Sequence, residues 1–109
     1  MRSGSHTERN TNFETEDGKN PWSDWMATLQ EGEIYGIILG RIERVEDGNL
    51  GDCEPVGDGV FELKIDFGPG YRVYFGEDDD LVILLWGGRK KTQTRDIMIA
   101  RKHWKYYNA

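Results

Sequence analysis

The sequence is short of cysteine, proline and long apolar runs, and each shortage excludes a class of protein. A single cysteine, Cys53, cannot form an internal disulfide, which excludes the small secreted folds that disulfides hold together. The longest unbroken apolar run, Leu81 to Trp86, is far shorter than the roughly 18 residues of a membrane span. No secretory signal is visible, so we expect a reduced, cytoplasmic protein that makes no membrane contact.

Positive charge is scarce in the first part of the chain and concentrated at its end. The net charge is -6, but residues 1–60 hold 5 basic and 13 acidic residues, a net of -8, while residues 61–109 hold 9 and 7, a net of +2. From Gly87 onward, seven basic residues stand against the single acid Asp96. The acidic total argues against a nucleic-acid partner, whereas the basic end favours a polyanion.

Length and composition predict one domain. With 109 residues, of which 37% are hydrophobic, the chain can bury one modest core, so we expect a single domain over residues 9–109. Residues 1–8 are polar and aperiodic, and we interpret them as an added leader or a disordered segment. The acidic loop with Asp52, Glu54 and Asp58 lacks the spacing of a calcium-binding loop, so we predict neither a metal site nor a cofactor.

Two helices are predicted in the first half of the chain. Asn20 and Pro21 form a helix start, because asparagine caps the first turn and proline loses no hydrogen bond there. A second helix is predicted over about Glu33 to Glu46 from its apolar spacing. Its interior glycines, Gly36 and Gly40, each cost about 1 kcal/mol relative to alanine. They either permit close packing or leave the helix weak.

The segment from Val60 to Phe75 alternates apolar and polar residues, which predicts a β-hairpin. A three-residue connection of two glycines and a proline would place Asp66 opposite Arg72 and Lys64 opposite Tyr74. Because side chains alternate across a strand, Lys64, Arg72 and Tyr74 would then share one polar face.

The remaining pattern completes an α+β domain. Residues 81–86 are apolar throughout, as in a strand that is covered on both faces. A weak edge strand is predicted over Asn10 to Glu16. Gly76 to Asp80 is predicted as a charged turn, and a last helix is capped by Thr92 or Thr94. The order strand, helix, helix, hairpin, strand, helix favours a mostly antiparallel sheet with two N-terminal helices and a C-terminal helix.

Three segments carry a family resemblance, and they read NPWSDWMATL, GNLGDCEPVGDGVFELKIDFGPGYRVYF and LVILLWGG with Arg95-Asp96-Ile97 downstream. From about Phe13 to Tyr107 the chain resembles the RelE/HigB superfamily of type II toxins, in particular the addiction-module killer protein branch. The resemblance implies a RelE-like fold and a ribosome-associated, metal-independent endoribonuclease that cleaves mRNA and inhibits translation. It also implies a cognate antitoxin, commonly a helix-turn-helix protein, that neutralises the toxin.

RNA cleavage without a metal needs a proton acceptor for the 2′-OH, positive charge beside the phosphorane and a donor to the leaving oxygen. The resemblance implies that Arg72, Lys64 and Lys90 are catalytic, with the Arg72 guanidinium contacting the scissile phosphate. The residues that we expect to bind RNA are Tyr71, Tyr74, Lys91, Gln93 and Arg95.

Structural alternatives stand beside these roles. Arg72 could serve only as the ion-pair partner of Asp66, and the two tyrosines could serve only in packing. His103, near the end of the last helix, is expected to be a surface or packed residue rather than a catalytic one.

Two departures from the family pattern favour an alternative function. Arg89 stands where the family usually has an acidic residue, and Glu31-Gly32-Glu33 makes the second helix more acidic than its counterparts. Because phosphate attraction supplies most non-specific affinity for RNA, an acidic helix predicts weaker binding. The alternative is a catalytically attenuated toxin-fold protein that acts as a protein-binding module.

Overall fold

The computed structural model describes residues 9–30 and 32–109, so the predicted leader over residues 1–8 and Glu31 lie outside the described part. Five strands form one mixed sheet: β1 (Asn10–Asn12), β2 (Cys53–Pro55), β3 (Phe61–Ile65), β4 (Tyr71–Asp78) and β5 (Leu81–Arg89). The helices are α1 (Pro21–Ala27), α2 (Glu33–Glu46) and α3 (Gln93–Tyr107), the last preceded by a 3-10 turn over Lys90–Thr92. The predicted α+β class is confirmed.

The strands lie in the order β1-β5-β4-β3-β2 across the sheet. β1 runs parallel to β5, and the β5-β4, β4-β3 and β3-β2 pairings are antiparallel. Both outer strands are only three residues long. Such short edges offer little backbone for pairing with another chain.

Helices cover both faces of the sheet. On β5, Val82 and Leu84 join the core beneath α1 and α2, while Ile83 and Leu85 join the core beneath α3. The prediction that this apolar strand is covered on both faces is therefore confirmed. Because α2 belongs to the acidic first part of the chain and α3 to the basic end, the two faces of the molecule differ in charge.

The predicted start of α1 is confirmed, since the Asn20 side-chain oxygen accepts a hydrogen bond from Ser23 N at 3.1 Å. In α2, a Cβ placed at Gly36 or Gly40 would meet no neighbouring atom within 4 Å. Close packing within this chain therefore does not account for the two glycines. None of the helices in the described ranges is long and apolar enough to cross a membrane.

The hairpin register differs from the predicted one. The last pair is Ile65 with Tyr71, so the connection has five residues, and two of them, Gly68 and Gly70, take positive φ angles of 54° and 85°. A hydrogen bond from Gly70 N to Phe67 O at 2.9 Å closes this wider turn. Strand pairing stops sooner than a three-residue connection would allow.

Two predicted pairs are consequently wrong. Arg72 lies opposite Lys64, not Asp66, and Tyr74 lies opposite Glu62, not Lys64. The shift is two residues, and strand side chains repeat every two residues, so each side chain keeps its predicted face.

Two further segments differ from the sequence prediction. β4 continues through Gly76 to Asp78, where a turn was predicted, because a residue without a side chain leaves room for the Trp104 ring. A Cβ at Gly76 would approach that ring to 2.5 Å. The loop before the hairpin contains β2, which the sequence analysis missed.

Candidate functional site

The predicted catalytic residues lie at one end of the sheet, where β3, β4 and the start of α3 meet. Arg72 on β4 lies opposite Lys64 on β3 and opposite Gly88 on β5. A Cβ at Gly88 would come within 2.0 Å of a carboxylate oxygen of Asp96 on α3. The missing side chain therefore lets the first turn of α3 pack directly on the strand next to Arg72.

A buried carboxylate lies beside Arg72. Glu62 is 1% exposed, and its oxygens accept hydrogen bonds from the Tyr74 hydroxyl at 3.0 Å and from Gln93 Nε2 at 2.8 and 3.0 Å. Arg72 Nε lies 3.9 Å from Glu62 Oε2, which is within ion-pair distance but too long for a hydrogen bond. This carboxylate thus balances the charge of the guanidinium without binding it tightly.

Arg72 itself is 8% exposed. Its Nη1 donates to the backbone oxygen of Tyr71 at 3.1 Å, while its buried Nε has no hydrogen-bond partner within the described residues. An unpartnered donor on a buried charged group is costly, and such groups are often found where a ligand supplies the missing acceptor.

The two tyrosines predicted to bind RNA are buried. Tyr74 is fully buried, and burial, together with the nearby Glu62 carboxylate, raises the pKa of Tyr74 so that its hydroxyl stays protonated. Tyr71 packs into the core beneath α1 and α2, with the Arg89 guanidinium carbon 5.9 Å from its ring centroid. The structure leaves neither ring open for stacking on a base, and it gives Tyr74 a different role, that of a hydrogen-bond donor to Glu62.

Lys64 carries a paired charge. Its ammonium group forms an ion pair with Glu54 on β2, and this hydrogen bond raises the pKa of Lys64 and lowers that of Glu54. An amine whose pKa is raised is a poor proton acceptor near neutral pH. Lys64 is therefore suited to supply positive charge, not to act as a general base.

Lys90 reaches the same end of the sheet through the hairpin turn. Its backbone N donates to Gly70 O at 3.1 Å. A Cβ at Gly70 would lie 3.3 Å from Lys90 Cβ and 3.8 Å from Arg72 Nη1, so both residues adjoin this glycine. Arg72 therefore has Lys64 opposite it on β3 and Lys90 near it at the hairpin turn.

The other residues predicted to bind RNA lie at the start of α3 and differ in their exposure and hydrogen bonding. Lys91 and Arg95 are exposed, whereas Gln93 is committed to Glu62. Thr92 occupies the N-cap position, but its side chain makes no capping bond and donates instead to Asp96. Thr94 lies inside the helix.

Sequence reasoning missed the buried carboxylates of this region. Asp96 is fully buried and accepts hydrogen bonds from Trp86 Nε1 at 2.9 Å and from Thr92 and Arg95, whereas in the sequence it is notable only as the single acid of the basic end. Glu62 lies on the same strand face as Lys64, but only the correct register would have placed it beside Arg72.

The arrangement suits an anion with several oxygens. A guanidinium such as that of Arg72 can hold two oxygens of a phosphodiester and stabilise negative charge that develops on it, and the charges of Lys64 and Lys90 belong to the same end of the sheet. In the described part of the chain, no group of three or more histidine, cysteine or carboxylate side chains could hold a metal ion.

Comparison with known proteins gives one informative relative. No family model matches the chain, and no solved structure matches it. A Haemophilus influenzae protein described as uncharacterized is 46% identical over 81 residues, which cover 73% of this chain and 82% of that protein. At this identity and coverage, the chain belongs to the same family as the Haemophilus influenzae protein.

Proposed function

We propose that this chain is a type II toxin of the RelE/HigB superfamily, in its addiction-module killer protein branch, and a ribosome-associated mRNA endoribonuclease. One observation carries the proposal: Arg72, which the sequence resemblance marks as catalytic, has Lys64 opposite it on β3 and Lys90 near it at Gly70, and the resemblance marks these two lysines as well. The α+β class of the fold, with three of its four strand pairings antiparallel, supports the proposal.

In the proposed reaction, the 2′-OH of the RNA loses its proton to solvent water, and the 2′-oxygen attacks the adjacent phosphorus. A 2′,3′-cyclic phosphate forms, the bond from phosphorus to the 5′-oxygen breaks, and that oxygen leaves with a proton. Arg72 would contact the phosphate with its guanidinium group and stabilise the charge of the phosphorane. Lys64, held charged by Glu54, would add to that stabilisation, and the Lys90 ammonium would protonate the leaving oxygen. Lys91 and Arg95, both exposed, would hold the flanking backbone.

A cytoplasmic nuclease that cuts mRNA needs a neutralising partner. We propose a cognate antitoxin, encoded beside this chain and built around a helix-turn-helix, that covers the end of the sheet near Arg72 or holds the toxin off the ribosome. A complex of this kind would bury a standard-size interface of roughly 1,600 Å².

A second function is favoured by the charge pairing in the site. Glu54 neutralises Lys64, and Glu62 balances Arg72, so less positive charge is left to attract RNA. In this second reading the chain is a catalytically attenuated member of the fold that binds a partner protein.

Induced expression without the antitoxin separates the two functions. Wild type should stop growth and cut translated mRNA, as read by primer extension, whereas Arg72→Ala should lower cleavage by about 100-fold or more. Arg101→Ala is the matched control, because it removes one guanidinium whose partner, Asp58, is an exposed carboxylate away from the site. A wild type that neither slows growth nor cuts mRNA favours the attenuated module.

A further inference from the structure

An aromatic cleft lies at the free edge of β5, between α1 and α3. Its volume is about 470 Å³, and its walls include Trp25, Trp86 and His103, with Gly87 as part of the floor. β1 pairs with β5 only as far as Leu84, so no strand of the described residues covers this part of the edge. A concave site of this size, mostly apolar with a few polar groups, is typical of a binding site.

The cleft walls are held rigidly. Trp25 packs on Gly87, where a Cβ would come within 2.1 Å of the indole. Trp86 is fixed by the hydrogen bond from its Nε1 to Asp96, and His103 stacks on Phe13 with ring centroids 4.7 Å apart. An aromatic site that is already formed loses little freedom when it binds a ligand.

The charge around the cleft favours a cation. One side of the cleft is formed by Thr15, Lys19, Pro21 and Asp24. The segment they belong to, residues 14–24, contains four acidic residues and one basic residue, a net of -3. Lys19 lies 3.8 Å from Asp17, and within the described residues no basic side chain lies at ion-pair distance from Asp24, which lines the cleft mouth. On α3, Lys102 is the neighbour of His103 and offsets one of these negative charges.

From this geometry we propose that the cleft binds the guanidinium or ammonium group of an arginine or lysine side chain of a partner protein. Indole rings attract cations through the negative potential of their faces, and the Asp24 carboxylate would pair with the incoming charge. His103, whose pKa burial and Lys102 lower, stays neutral and does not repel the cation.

An RNA base is the other planar group that aromatic walls could accept, but the charge opposes it. A nucleotide brings its phosphate with it, and the net negative charge of residues 14–24 would repel that phosphate. This inference does not depend on the proposed nuclease function, because the cleft shares no residue with the cluster of Lys64, Arg72 and Lys90.

The test uses the folded protein labelled with ¹⁵N, with the indole N–H signals of its four tryptophans as the readout. The probes are acetyl-arginine amide, its neutral isostere acetyl-citrulline amide, and adenosine monophosphate. The arginine probe should shift the signals of Trp25 and Trp86 and bind about five-fold or more tightly than the citrulline probe.

Variants assign the binding to the cleft. Asp24→Asn should weaken binding of the arginine probe about three-fold or more, while Glu16→Gln, an equally exposed change in the same segment, should leave it nearly unchanged. Lys19→Ala should strengthen binding of the arginine probe. Equal binding of arginine and citrulline, tighter binding of adenosine monophosphate, or no indole shift up to about 50 mM probe, well above a millimolar Kd, would overturn the proposal.

Discussion

Removing the Arg72 side chain tests whether Glu62 is its electrostatic partner. With 3.9 Å between Arg72 Nε and Glu62 Oε2, an effective dielectric constant of about 20 gives roughly 4 kcal/mol of attraction. Breaking a buried pair by removing one partner costs about 3–5 kcal/mol. This pair lacks a hydrogen bond, and Glu62 keeps the hydrogen bonds that it accepts from Tyr74 and Gln93. We therefore expect Arg72→Ala to lower the free energy of unfolding by about 2–3 kcal/mol.

A double-mutant cycle isolates the pair itself. Urea unfolding followed by tryptophan fluorescence would be measured for wild type, Arg72→Ala, Glu62→Gln and the double variant. We expect a coupling free energy of about 1.5–2.5 kcal/mol. The exposed pair of Arg101 and Asp58 is the control, and its coupling should lie between about 0 and 1 kcal/mol because water screens it.

A coupling below about 0.5 kcal/mol between Arg72 and Glu62 would refute the reasoning. A second cycle, between Arg72 and Asp66, should show no coupling, since Asp66 lies beyond the last paired residue of β3. Coupling there larger than with Glu62 would contradict the observed register. A domain of this size has about 5–15 kcal/mol of stability, so each variant should remain folded without denaturant.

Three other results are expected. Gly36→Ala and Gly40→Ala should each raise the free energy of unfolding by about 0.5–1 kcal/mol in urea titrations, because nothing lies within 4 Å of the added Cβ; destabilisation would reveal crowding that the structure lacks. As pH falls below about 6.5, wild type should lose stability faster than His103→Gln. Burial lowers the folded-state pKa of His103, so the unfolded chain binds more protons than the folded chain in this range. Equal slopes of the free energy of unfolding against pH for the two proteins would contradict this. Co-expression with the protein encoded next door should yield a stable complex, and recovery of this chain alone beside a soluble neighbour would count against an antitoxin.

The elements that the sequence predicts well are those set by local signals. The start of α1 depends on an asparagine cap followed by proline, and both act within one turn. The apolar strand over residues 81–86 is recognisable because a strand covered on both faces contains no polar residue. Neither signal requires knowledge of the rest of the chain.

The elements that the sequence misses depend on distant contacts. β2 has only three residues and ends in Pro55, so it has no period to detect, and it exists because Cys53 to Pro55 pair with β3. In the sequence, Gly76 is typical of a turn. In the structure, glycine is needed there because the Trp104 ring of α3 leaves no room for a side chain. Glu62 gains its role only when α3 brings Gln93 onto the sheet.

The hairpin shows why the sheet face of each strand residue was easier to predict than its pairing partner. A register error of two residues leaves Lys64 and Arg72 on the same face, so the prediction that they share a face survives the error. The same error exchanges the partner of Arg72, from the exposed Asp66 to the buried Glu62. An exposed partner would be worth about 0–1 kcal/mol and would leave the arginine mobile, whereas a buried one is costly to disrupt. Arg72 is thus held next to the hairpin turn by a buried carboxylate, which lies 3.9 Å from its Nε, too far for a hydrogen bond.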